Sequence, residues 1–155
     1  MKKLKVLILV FIICLLVGCT KESNKSKEVR SMIDFEEASS NIGYSVVDNI
    51  DSYMGVDYIT DSKKVEFGNT SVEMVVYTDI ESAKKVQEEQ INTFRKFKNT
   101  ATTENKEKGT NYYKFWMVSN GYYMVSSRVD NTLVFCKTEL KNKENVEKIL
   151  SDLNY

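Results

Sequence analysis

The sequence predicts an α+β domain: a mainly antiparallel sheet covered by helices, in the element order α-β-β-β-α-β-β-β-α. Three observations predict it. A long amphipathic helical stripe runs from Asp79 to about Lys98. Three strand-like runs follow it in close succession between Tyr112 and Thr138, separated by turn residues. A weaker copy of the same order, helix and then strands, precedes it between Asp34 and Tyr77. The order admits two αβββ units, although no residue-level identity between the halves supports a duplication.

The first helix is expected near Asp34, where Asp34 and Glu37 have capping-box spacing. Phe35, Ala38 and Ile42 share its inner face, and Gly43 fits the position just past its end. Short strands are expected at Tyr44–Asp48 and Met54–Thr60. Val72–Tyr77 is a stronger one, and Lys64–Phe67 forms a further strand or part of the same hairpin. The helix after Tyr77 has Thr78 and Glu81 as its capping box. Ile80, Ala83, Val86, Gln90, Ile91, Phe94 and Phe97 face inward, with Lys84, Lys85, Glu88, Glu89 and Lys96 outward. Asn99–Asn111 reads as a polar loop, long for a compact domain. Strands follow at Tyr112–Val118, Tyr122–Val129 and Thr132–Thr138, with Ser119-Asn120-Gly121 and Asp130-Asn131 as turns. The last helix runs from about Lys143 to Leu153, with Asn142 as N-cap and Val146, Ile149, Leu150 and Leu153 inward.

The first nineteen residues have a different character. Lys2, Lys3 and Lys5 precede an apolar run from Val6 to Val17, and then come Gly18, Cys19 and the polar stretch Thr20–Glu28. This is the order of a positive region, an apolar region and a small residue at a cleavage site. The run is short for a spanning helix, which needs about 20 apolar residues. Leu16-Val17-Gly18-Cys19 resembles the lipobox of bacterial lipoproteins. The resemblance covers the N-terminal segment alone. It implies a diacylglyceryl group on the Cys19 thiol, cleavage between Gly18 and Cys19, and residence on the extracytoplasmic face of the cell membrane. Two acyl chains hold stably where a single one is marginal, at about 0.8 kcal/mol per buried methylene. The expected organisation is a signal peptide at 1–18, the lipidated cysteine with a flexible tether at 19–31, and one α+β domain at 32–155.

Composition narrows the function. Without the signal segment the chain carries 19 basic and 22 acidic residues, a net charge of −3, which gives no electrostatic case for nucleic acid. There is no histidine, which excludes Ser-His-Asp and Cys-His catalysis. No calcium-loop, P-loop, GxSxG or CxxC pattern occurs, and neither a metal nor a cofactor is expected. Cys14 leaves with the signal, so Cys136 is the remaining free thiol and reads as a small buried hydrophobe.

One surface is suggestive. The strand at Tyr112–Val118 is apolar on both parities. If Tyr113, Phe115 and Tyr123 face the helices, then Tyr112, Trp116, Tyr122 and Met124 form a candidate binding patch on the outer face, with Arg128 beside it. The competing reading buries both faces. The function expected is a non-enzymatic binding or accessory module, held at the membrane by its diacylglyceryl anchor and engaging an envelope protein or a small ligand. The alternatives are an envelope enzyme working through carboxylates and a structural subunit of an envelope complex.

Overall fold

Residues 20–22, 24–68 and 70–155 are described by the computed structural model, and side chains from residue 24 onward. The signal segment, the cleavage between Gly18 and Cys19, and the lipidation of Cys19 lie outside the described residues. The elements are β1 (Thr20–Glu22), α1 (Met32–Ser40), β2 (Val46–Asp48), β3 (Ile59–Phe67), β4 (Thr70–Tyr77), α2 (Ile80–Arg95), β5 (Thr103–Lys108), β6 (Tyr112–Ser119), β7 (Tyr122–Val129), β8 (Thr132–Glu139) and α3 (Lys143–Asp152). Short 3-10 turns stand at Ile50–Tyr53 and Leu140–Asn142.

The strands form a single sheet in the order β1-β5-β6-β7-β8-β4-β3-β2. Every pairing is antiparallel except that of β1 with β5. The two runs of strands meet at a seam between β4 and β8, the last strand of each. The fold is therefore α+β with the expected helix–strand order, to which the structure adds β1 and β5. β5 lies inside the stretch read as a loop: its residues, Thr-Glu-Asn-Lys-Glu-Lys, suit a charged strand near a sheet edge. Of the strand expected at Met54–Thr60, residues 54–58 are a turn, and Ile59 and Thr60 open the nine-residue β3.

Helix starts follow the side-chain oxygens. Ser31 caps α1, accepting from the Asp34 N–H at 3.2 Å, while the Asp34 carboxylate accepts from the Ser31 N–H at 2.7 Å. Asp34 is thus the third residue of the helix rather than its cap, because serine three positions earlier completes the reciprocal pair. Asp79, not Thr78, caps α2 and accepts from the Ser82 N–H at 2.8 Å. Asn142 precedes α3 without a side-chain cap bond; its amide donates to Thr138 Oγ1.

Helices cover both faces of the sheet. α1 and α3 pack on the first face, where Phe35, Ile149, Leu150 and Leu153 meet Met74, Val125, Val134 and Cys136. α2 packs on the second, where Ile91 and Phe94 meet Phe115, Met117 and Met124, and Ala83 meets Val75 and Leu133. Complete burial of each such side chain contributes about 1.5–3 kcal/mol, so strands apolar on both parities are what a doubly covered sheet requires.

The segment expected as a flexible tether is fastened to the domain. The Lys25 carbonyl accepts from the Thr110 N–H at 3.0 Å. The Lys27 N–H donates to Asn111 Oδ1 at 2.9 Å, and Asn111 Nδ2 donates to the Lys27 carbonyl at 2.8 Å. Lys27 Nζ lies 4.5 Å from the centre of the Tyr112 ring. Gly109 makes this approach feasible: a Cβ there would overlap both the Lys25 carbonyl oxygen and the Tyr112 ring.

Candidate functional site: a basic groove beside helix α2

A single helix is about 10 Å across and strands lie about 4.8 Å apart, so α2 covers only part of its face. It packs chiefly on β7, with further contacts to β4 and β8. Ala83, Gln87, Ile91 and Phe94 form its buried stripe. Beyond its edge, toward β5 and β6, an open groove of ≈ 650 Å³ remains. One wall is the helix flank carrying Lys84, Glu88, Asn92 and Arg95. The other runs from Lys108 to Tyr113, and Gln87 and Arg128 complete the lining from the protein's interior.

Arg128 is 7% exposed and Gln87 3%. Gln87 Nε2 donates to the carbonyls of Tyr113 and Ser126 at 2.9 and 3.2 Å, tying α2 to β6 and β7. Its oxygen accepts from Arg128 Nε at 3.2 Å, and Arg128 Nη1 donates to the Asp130 carbonyl at 2.9 Å. Burial lowers the pKa of the Arg128 guanidinium, and the charges of Asp130 and Glu81 oppose that fall. At the rim, Arg95 pairs with Glu104 at 2.8 Å and Lys84 with Glu81 at 2.6 Å. The hydrogen bond to Glu104 raises the Arg95 pKa. Burial raises that of the Tyr113 hydroxyl, against the pull of Arg95.

The five residues expected to form an aromatic patch are divided between the two faces, and the turn after β6 is the reason. Asn120 and Gly121 both have positive φ, 52° and 78°, and form a two-residue connection. Ser119 therefore belongs to β6 and pairs with Tyr122, so that Met117 faces Met124 and Trp116 faces Val125. A three-residue turn would have shifted the pairing by one and placed Trp116 opposite Met124. Tyr112, 3% exposed, packs in the core of the first face and donates its hydroxyl to Glu107 at 2.8 Å. Trp116 is half-buried against the same core. Met124 is fully buried beneath α2, and Tyr122, 37% exposed, lies under Lys137 Nζ at 4.9 Å. The exposed aromatic patch is corrected accordingly. Arg128 and Tyr112 border the groove instead. Sequence reasoning missed Gln87, whose place on the buried stripe of α2 was the available signal.

Cys136 lies fully inside the first core, where burial pushes its thiol up to about 12. Among the described residues no group of three or more His, Cys, Asp or Glu side chains could hold a metal ion, and no helix is long and apolar enough to cross a membrane.

No family model and no curated protein matches the chain. A solved structure, described as a GTP binding regulator from Thermotoga maritima, is similar over 84% of this chain and 92% of its own, with 22% identity and a TM-score of 0.45.

Proposed function

We propose that this chain is a lipoprotein anchored at Cys19 to the extracytoplasmic face of the cell membrane, and that its domain is a non-enzymatic module binding a small ligand in the groove beside α2. The lipobox-like Leu16-Val17-Gly18-Cys19 in its context of lysines and apolar residues supports the anchor. The single observation that carries the binding reading is the groove itself, with a buried arginine held ready in its lining by Gln87. Pre-formed concave sites with a few placed polar groups are where small ligands bind.

The fastening of Lys25 and Lys27 supports a closer placement than a free tether would give. Lys25 lies six residue steps beyond Cys19, a reach of at most about 20 Å when fully extended. The domain then stands near the membrane surface in a restricted orientation.

An enzyme acting through paired carboxylates would have to draw them from elsewhere, since Glu88 is the one carboxylate among the described groove residues. Cell fractionation tests the anchor: the native protein is expected in the membrane fraction and Cys19→Ala in the soluble or signal-retaining pool. A Cys19→Ala protein that is processed and membrane-held like the native one contradicts it.

A further inference from the structure

A buried cation ordinarily meets a carboxylate, because a charge removed from water is costly unless it is paired. Arg128 does not. Its Nε and Nη1 bond to two neutral oxygens, those of Gln87 and of the Asp130 backbone. The Asp130 carboxylate is engaged by Asn111 Nδ2 at 2.9 Å, and Glu81 by Lys84. Among the described residues Arg128 Nη2 has no hydrogen-bond partner and no carboxylate forms an ion pair with the guanidinium. This residue lines the groove together with Lys84, Arg95 and Lys108, against one acid, Glu88.

We propose that the groove beside α2 binds a small oxyanion, a carboxylate or a phosphate, with Arg128 Nη2 as the donor that receives it. The proposal rests on the reading of the domain as a ligand-binding module and names the chemistry of its ligand. Gln87 and the Asp130 carbonyl hold two corners of the guanidinium, so the third is presented in a fixed direction without further ordering. A charge-assisted hydrogen bond from a desolvated arginine is the stronger kind. Lys84 and Arg95 are each paired with a rim carboxylate, Glu81 and Glu104, so the unpaired Nη2 of Arg128 is the group that carries the site.

The test is titration calorimetry on the lipidated protein in detergent, with inorganic phosphate and with acetate, chloride balancing the ionic strength. Saturable binding of phosphate, acetate or both is expected, and which of them binds assigns the headgroup. Arg128→Gln is expected to weaken it about tenfold or more, the worth of one charge-assisted hydrogen bond. Because Arg128 also packs against Gln87, a second variant leaves the interior untouched: Asn92→Glu, on the exposed flank, adds a carboxylate to the mouth and is expected to weaken binding too. Absence of saturable binding for both anions, or unchanged binding in either Arg128→Gln or Asn92→Glu, overturns the proposal. Those results leave the anchor unaffected, since the fate of the Cys19→Ala protein is read independently.

Discussion

The side-chain amide of Asn111 brackets the backbone of Lys27, accepting its N–H at 2.9 Å and donating to its carbonyl at 2.8 Å. The same Nδ2 donates to Asp130 Oδ2 at 2.9 Å, beside the turn between β7 and β8. One side chain therefore joins the N-terminal arm, the start of β6 and a hairpin of the central sheet. Asn111→Ala is expected to cost about 1 kcal/mol, since the backbone partners it leaves are only partly buried. Hydrogen exchange distinguishes release of the arm from general loosening: the Lys27 and Thr110 amides should exchange faster while those of β7 stay protected.

Gly109 makes the second contribution to this fastening. Gly109→Ala forces a Cβ into the Lys25 carbonyl and the Tyr112 ring, so destabilisation of about 1–3 kcal/mol is expected from overpacking. Denaturant unfolding measures it, and limited proteolysis should cut within residues 24–31 more readily than in the native protein.

Gln87 joins α2 to the sheet through two strand carbonyls and Arg128. Replacing it with leucine keeps the volume but removes its hydrogen bonds to the Tyr113 and Ser126 carbonyls and to Arg128 Nε in the interior. A loss of about 2–4 kcal/mol is expected by chemical denaturation, summing the lost hydrogen bonds in the usual range. A change within a few tenths would remove Gln87 from its role.

Acid should weaken the start of α2. Hydrogen bonds from the Ser82 N–H and hydroxyl hold Asp79 below its ordinary 3.8. The folded pKa is depressed, so this contribution is complete above the unfolded value and is lost as pH falls through the folded one. Asp79→Asn retains a capping acceptor and cannot ionise. Melting temperatures of the two proteins should differ at neutral pH and converge below pH 3.8.

The Cys136 thiol, buried in the first core and pushed up to about 12, should resist alkylation at pH 8 in the folded protein and react once unfolded. Peptide mapping after iodoacetamide treatment, with and without urea, checks it.

Much of this architecture is legible in the residues. The stripe Ala83, Ile91 and Phe94 marks α2, and Val146, Ile149 and Leu150 mark α3, because packing dictates apolar spacing in both. β5 was hidden because a charged strand near an edge has no apolar alternation to show. β1 adds to that edge through residues that resemble a linker. The aromatic patch failed for a sharper reason. A strand apolar on both parities leaves its facing to the turn, and whether Ser119 counts as turn or strand exchanges the two faces. The groove was not legible at all, since it arises where one helix fails to cover the width of the sheet. Of its two interior polar residues, only Arg128 stands out in the sequence, as a cation within an apolar strand.

The central claim is that lipid on residue 19 holds this domain at the cell boundary. Mass spectrometry of the N-terminal peptide from the native protein tests it most directly. A peptide beginning at Cys19 and carrying the mass of a diacylglyceryl group is the predicted result. An unmodified cysteine there, or a product that retains residues 1–18, contradicts it.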